Sequence, residues 1–168
     1  HWNRVQEATA AARRIGAEIV FGDFRDGYVT TSAELIGWIE QLLNQYRPRM
    51  VISHFAGDTS TAHQDHVAVA AAVKIATRRA TWHPTLLMAE GVDIDLTFQP
   101  NWFVDITDEH ATKMASIHLH ASQRDKYYMQ DDYLETRARK WSLNFPNPPD
   151  DPHRKSYWEA FLLIQHTS

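Results

Sequence analysis

Apolar positions along the first half of the chain follow two different periods. Three segments show the spacing of an amphipathic helix: residues 2–15, the segment that follows Thr31, and residues 64–79. Three short apolar runs predict strands: residues 17–21, 50–53 and 85–88, of which 50–53 is a candidate for a buried strand. Because helices alternate with strands, the pattern predicts an α/β, Rossmann-like domain whose mostly parallel sheet has flanking helices.

The second half of the chain is less regular. Its predicted elements are a strand over 101–106, a helix capped by Thr107, a helical run over 125–141, a loop over 144–152, and a helix or strand edge over 156–165. In the first half, Thr31-Ser32-Ala33-Glu34 fits a capping box in which Thr31 is the cap, and Asp26-Gly27 indicates a turn.

Two histidines three residues apart carry the strongest chemical signal. His63 and His66 flank Asp65 where the predicted strand 50–53 and the loop after it lead into a helix. Such a position lies at the carboxyl end of a strand, where open α/β sheets bind ligands, and two imidazoles one helical turn apart suit a metal site. The alternative is that both histidines cap or line the helix start. His54, at the end of the strand, is interpreted as a structural histidine.

Composition narrows the function classes. The 168 residues include no cysteine, so any metal site must use His, Asp and Glu, and thiol chemistry is excluded. A net charge of −4 gives no indication of nucleic-acid binding. No apolar run approaches the ~20 residues of a membrane span, so we expect a cytoplasmic protein. The sequence leaves a homo-oligomer open.

Several segments together resemble one family, the PIG-L/LmbE-like N-acetylglucosamine deacetylases. The resembling motifs, in order, are Arg4-Val5-Gln6-Glu7, Phe24-Arg25-Asp26-Gly27, Arg47-Pro48-Arg49-Met50-Val51, His63-Gln64-Asp65-His66, Val104-Asp105-Ile106, His120-Ala121-Ser122-Gln123 and Tyr157-Trp158-Glu159-Ala160-Phe161. The H-x-D-H and H-x-S-Q motifs form the most specific pair. The family's A-H-P-D-D-E segment is absent, and His1 already lies in a helical pattern. We therefore expect a single domain over 1–168 that lacks the N-terminal strand.

The resemblance implies roles for six residues. His66 would be a zinc ligand, His63 a cation or general acid, and Asp65 a carboxylate that orients a ring N–H. Residues that would bind the sugar are Arg4, Asp26 and His120. Simpler roles stay open: a first-turn helix acid for Asp65, a surface charge beside Glu7 for Arg4, and a structural hydrogen bond for the H-x-S-Q motif.

The implied activity is that of a zinc-dependent hydrolase which removes an acetyl group from an N-acetylated amino sugar of the N-acetylglucosamine type, or from its conjugate. Another divalent transition metal could replace zinc in a site of imidazole and carboxylate ligands. The alternative is a non-catalytic α/β fragment that acts as a binding or structural module. A nucleotide-binding domain is disfavoured, because the sequence has no G-x-G-x-x-G motif and no phosphate-binding lysine loop.

Overall fold

The computed structural model describes residues 2–57, 63–92, 95–145, 147, 151 and 153–165. The helices are α1 (Trp2–Arg14), α2 (Ala33–Tyr46), α3 (Gln64–Arg79), α4 (His110–His118) and α5 (Asp131–Lys140). The strands are β1 (Met50–His54), β2 (Thr85–Ala89), β3 (Trp102–Asp105) and β4 (Trp158–Gln165). Short 3-10 turns cover Ala121–Gln123, Tyr127–Met129 and Trp141–Asn144.

The four strands form one sheet in the order β1-β2-β4-β3. Strands β1 and β2 are parallel, with Met50 opposite Thr85, and α3 connects them. Strand β4 runs antiparallel to β2 and has an irregular register beside Leu86 and Leu87. The predicted α/β, Rossmann-like architecture is confirmed, but the sheet is mixed and not mostly parallel, because β4 pairs with β2 in the antiparallel direction. The parallel pair delivers the end of β1 and the start of α3 to the same edge of the sheet.

The chain forms two compact units. The first consists of His1–Phe21 and Val104–Glu159, and the second of Gly22–Phe103 and Ala160–Ser168. The second unit contains the main apolar core, in which α2 and α3 pack with β2. Its buried residues are Leu35, Ile39, Leu43, Ala70, Ala72, Val73, Ala76, Leu86 and Met88. Burial of these residues is the main force that holds α3, and with it the H-x-x-H motif, in place.

The predicted cap of α2 is wrong by one residue. Ser32, not Thr31, is the N-cap, and its hydroxyl accepts the Leu35 N–H at 3.1 Å. The Thr31 hydroxyl instead donates to the carbonyl of Ala68 in α3, at 3.3 Å. A threonine beside a serine can serve either purpose, and here the tertiary contact between the helices decides between them.

The predicted strand over 17–21 does not form. These residues have no regular secondary structure, and Val20 and Phe21 are exposed. Strand propensity alone is insufficient, because a strand needs a neighbour for its backbone hydrogen bonds. The strands predicted from 50, 85 and 101 are confirmed to within a residue or two at their ends.

Two predictions in the second half also need correction. Helix α4 begins at His110 with Glu109 at the N-cap, so Thr107 is not its cap; the Thr107 hydroxyl oxygen accepts the Tyr157 N–H at 3.0 Å. The run predicted as one helix over 125–141 contains a 3-10 turn before α5 and another after it. The C-terminal segment is a strand. Within the described residues, no helix is long and apolar enough to cross a membrane.

Candidate functional site

The candidate site is built where β1 ends and α3 begins, within the second unit. Strand β1 ends at His54, and α3 starts at Gln64 with His63 as its N-cap. The predicted helix start at Gln64 is therefore confirmed, and it places His63 and His66 within one turn. Their ring centroids are 5.5 Å apart and the ring planes are tilted by 47°.

His54 is the residue that sequence reasoning undervalued. Its imidazole stacks on that of His66, with ring centroids 4.1 Å apart and planes 7° from parallel. The strand end directly before the loop was the available signal, but the contact depends on how β1 and α3 pack. Three imidazoles thus lie in a row: His54 against His66, and His66 beside His63.

The environment favours the neutral form of two of these histidines. Burial lowers the pKa of His54 below its usual value, and the neighbouring charge of His66 lowers it further. Burial also lowers the pKa of His66; the charge of His63 acts in the same direction and the Asp65 carboxylate opposes it. A neutral imidazole keeps a lone pair on one ring nitrogen, which is the form that binds a metal ion or accepts a proton.

His63 has a structural contact of its own. Its Nδ1 atom accepts the backbone N–H of Asp65 at 3.3 Å, so the side chain caps α3. An accepting Nδ1 leaves the proton of the neutral ring on Nε2. The simpler interpretation of the histidine pair, as a helix cap, is thus satisfied by His63. The same contact leaves the Nε2 proton of His63 available to a ligand.

Asp65 does not hold a ring N–H as the resemblance implied. Its carboxylate, 9% exposed, accepts the Gly27 N–H at 2.6 Å and the Val29 N–H at 3.1 Å. Among the described residues its side chain makes no hydrogen bond to an imidazole. The physical reason is position: in the first turn of α3 the side chain faces a loop whose backbone donors it can satisfy. A catalytic role for Asp65 stays a prediction.

The loop that Asp65 contacts carries Asp26, one of the predicted sugar-binding residues. A turn closes where the Tyr28 N–H donates to the Arg25 carbonyl at 3.1 Å, and Gly27 has a φ of 81°. The Arg25 guanidinium lies 4.0 Å from the centroid of the Tyr28 ring. The structure therefore brings Asp26 into the unit that holds His63, Asp65 and His66.

Arg4 and His120 belong to the first unit, where they surround Glu7. The Glu7 carboxylate accepts the Ser122 N–H at 2.8 Å and the Ser122 hydroxyl at 2.6 Å. These bonds lower the pKa of Glu7, and the charges of His120 and Arg4 lower it further. The H-x-S-Q motif is thereby tied to α1, which satisfies its predicted structural role. Sugar binding by Arg4 and His120 stays a prediction.

The fit of a metal ion is partial. Among the residues that the structure describes, no group of three or more His, Cys, Asp or Glu side chains could hold a metal ion. His66 and its stacked neighbour His54 supply neutral nitrogen donors, but they lack a third partner within this set. Asp58, which the sequence places in the same loop, lies outside the described residues.

Part of the sequence matches the model of a known family. Residues 2–77, which include Arg4, Asp26 and the H-x-x-H motif, match the sequence model described as "PIG-L: GlcNAc-PI de-N-acetylase". No significant match exists among curated protein sequences. This match confirms the resemblance to the PIG-L/LmbE-like family over that segment.

Solved structures share that fold over nearly the whole chain. The conserved protein TT1542 from Thermus thermophilus has a TM-score of 0.76 and 21% identity, over 99% of this chain and 75% of that one. The 4-carboxy-2-hydroxymuconate hydratase GalB from Pseudomonas putida has a TM-score of 0.81 and 20% identity, over 99% of this chain and 72% of GalB. The zinc-inhibited form of teicoplanin deacetylase Orf2 has a TM-score of 0.67 and 14% identity, over 99% of this chain and 75% of Orf2.

Proposed function

We propose that the protein is a deacetylase that hydrolyses the acetamido group of an N-acetylated amino sugar or its conjugate. The observation that carries the proposal is the PIG-L match over residues 2–77, which contains His63, His66 and Asp26. The fold alone does not discriminate, because proteins that share it include both a hydratase and deacetylases. The residues in the matched segment therefore carry more weight than the overall similarity.

The geometry of His63 suits one step of amide hydrolysis. The departing amine needs a proton, and a positioned imidazole is a common donor. Nδ1 of His63 accepts a backbone hydrogen bond that holds the neutral ring at the helix start, with its proton on Nε2. To act as a general acid, the ring takes up a second proton at Nδ1, which releases that hydrogen bond, and the imidazolium then gives its Nε2 proton to the departing amine and returns to a neutral ring. His63 is exposed, so Nε2 can reach a bound substrate. We assign it the role of general acid.

Zinc is the metal that we propose for this site, with His66 as one ligand. A zinc ion with an open coordination position supplies Lewis-acid chemistry for amide hydrolysis when it is bound. The lowered pKa of His66 favours the neutral ligand form at pH 7. The likeness in fold to a deacetylase structure described as zinc-inhibited supports this choice of metal, and within the described residues no third ligand joins His66 and His54.

We assign the sugar to the face that carries Asp26. A carboxylate on a turn accepts hydrogen bonds from hydroxyl groups, which an amino sugar offers on neighbouring carbons. Arg4 and His120 are proposed as further sugar contacts on the strength of the resemblance alone. The family description names an N-acetylglucosaminyl phosphatidylinositol, so conjugates of N-acetylglucosamine are the first substrates to test.

The test is release of acetate from N-acetylglucosamine and from its glycoside and inositol conjugates, with added zinc. The proposal predicts release by the wild type and its loss in His66→Ala. The matched control is His83→Asn, which removes an exposed histidine outside the site and keeps a residue that tolerates the φ of 48° there. Failure of the zinc-loaded wild type to release acetate from any of these conjugates overturns the proposal. Binding of a conjugate without acetate release would establish the alternative, a non-catalytic binding module.

A further inference from the structure

We propose that Asp65 is a positioning residue which, with Gln64, clamps the turn Arg25–Val29 and so fixes Asp26 relative to the H-x-x-H histidines. The inference rests on the proposed function in one respect: Asp26 is taken to contact the sugar. The clamp itself stands on contacts within the second unit, and it replaces the role in which Asp65 orients an imidazole.

Three hydrogen bonds form the clamp. The Asp65 carboxylate accepts the N–H groups of Gly27 and Val29, one on each oxygen, at 2.6 and 3.1 Å. The Gln64 side-chain amide donates to the Gly27 carbonyl at 2.5 Å. Gly27 is therefore bound through both its N–H and its carbonyl to consecutive residues of α3, so it is held from both sides of its backbone.

The clamp requires one particular conformation of the turn. The N–H groups of Gly27 and Val29 reach the same carboxylate only if the intervening chain folds back, which the φ of 81° at Gly27 permits. The bond from the Tyr28 N–H to the Arg25 carbonyl closes the same turn. These features fit a type II turn, in which glycine occupies the third position and Asp26 the second. Asp26 is thus carried on a backbone with little freedom.

The anchor point is rigid. Asp65 lies in the first turn of α3, where the Val67 N–H donates to the His63 carbonyl at 3.2 Å and α3 packs into the core. A buried carboxylate has a large desolvation penalty unless it accepts hydrogen bonds, and the two backbone donors offset that penalty. One turn of helix therefore carries His63, His66 and the anchor of the Asp26 turn.

The same contacts argue against acid–base chemistry by Asp65. Each oxygen is already engaged by a backbone N–H, and the residue is only 9% exposed. A group that exchanges protons with a substrate must reach it within hydrogen-bond distance. Asp65 instead acts through the position of Asp26, so its replacement is expected to weaken substrate binding more than turnover.

The rates of amide hydrogen exchange at Gly27 and Val29 test the clamp directly, and the measurement needs no substrate. In Asp65→Asn the new amide group can accept from only one of the two donors, so at least one of these N–H groups should exchange about tenfold faster or more. Gln64→Ala should accelerate exchange in the same turn while it leaves the buried carboxylate intact. The control Glu34→Gln alters an exposed acid in the first turn of α2 and should leave both rates unchanged.

Kinetics then test the consequence for the substrate. We expect Asp65→Asn to raise KM for an N-acetylglucosamine conjugate about as much as Asp26→Asn does, with a much smaller fall in kcat. The double variant should have a KM no higher than that of Asp26→Asn, because both changes remove one interaction. Unchanged exchange at both amides overturns the clamp, and so does a fall in kcat with unchanged KM. If the wild type releases no acetate, the proposed function fails while the exchange rates still decide on the clamp.

Discussion

The imidazole of His54 stacks face to face on the imidazole of His66, with centroids 4.1 Å apart and planes 7° from parallel. Strand β1 supplies one ring and the first turn of α3 the other, so the contact reports the packing of two elements that a loop connects. Burial lowers the pKa of both groups below the usual value, which favours their neutral forms. A neutral His66 is the form that the proposed zinc site requires.

The helix-cap contact of His63 and its proposed role as general acid can be separated by substitution. His63→Ala removes the acceptor for the Asp65 N–H and should lower the free energy of unfolding by about 1 kcal/mol. His63→Asn keeps a capping acceptor and should stay within a few tenths of a kcal/mol of the wild type. Urea unfolding measures both. Acetate release should be lost in both variants, and an active His63→Asn would contradict the general-acid role.

His110 should make stability depend on pH. The imidazole of His110 stacks on the ring of Tyr157, with ring centroids 3.6 Å apart. Burial lowers the pKa of His110; the charge of Lys113 lowers it further, and the charge of Glu135 opposes the shift. Because the folded pKa lies below the unfolded value of 6.5, the unfolded chain binds this proton first as pH falls. The contribution of His110 is therefore fully present above pH 6.5 and is lost as pH falls through the folded pKa.

The variant His110→Phe keeps a ring against Tyr157 but cannot titrate. Its stability relative to the wild type should rise as pH is lowered from about 7.5 to about 5, in paired urea unfolding curves. The substitution also removes the Nε2 atom, which is buried without a hydrogen-bond partner among the described residues. A constant difference across this pH range would show that His110 has the same pKa folded and unfolded.

Gly57 leaves no room for a side chain in the segment that leads to the site. A methyl group there would overlap the Phe55 ring and the Thr97 hydroxyl, and Phe55 is itself packed edge to face against Phe98. Gly57→Ala should therefore destabilise the protein by about 1–3 kcal/mol in thermal or urea unfolding. Gly91→Ala, where a methyl group meets nothing within 4 Å, is the matched control. Equal stability of the two variants would contradict the packing around Phe55.

At Gly37, in contrast to Gly57, a substitution by alanine should stabilise the protein. Gly37 lies exposed inside α2, and a methyl group there would meet nothing within 4 Å. Alanine has less conformational freedom to lose in a helix, so Gly37→Ala should raise the free energy of unfolding by about 0.5–1 kcal/mol. Acetate release should be unaffected. A destabilised variant would show that α2 makes a contact at this position which the structure does not contain.

Local patterns predicted the elements that local forces determine. The apolar run that became β1 and the start of α3 at Gln64 were found because periodicity and helix-start signals extend over neighbouring residues. The strand expected over 17–21 failed for the complementary reason, since a strand also needs a partner that lies elsewhere in the chain. Ser32 and Thr31 are equivalent as caps by sequence, and only the contact of Thr31 with α3 distinguishes them.

The candidate site also combines residues that local patterns indicate with contacts between distant parts of the chain. The H-x-x-H motif indicated His63 and His66, and the family resemblance brought in Asp26. The bonds from Asp65 to Gly27 and Val29 span 38 and 36 residues, and the His54 stack joins a strand to a helix. Such contacts follow from the packing of α3 against the rest of the second unit. No spacing in the sequence encodes them, so the contacts of Asp65 follow only from the tertiary structure.

Zinc binding by the purified chain tests the central claim most directly. We expect the wild type to bind about one zinc ion per chain at neutral pH, as a site of this type requires. His66→Ala should bind none, and the control His83→Asn should bind as the wild type does. The same zinc stoichiometry in His66→Ala and in the wild type, or no zinc in either, would contradict the assignment of a zinc-dependent deacetylase site to the start of α3.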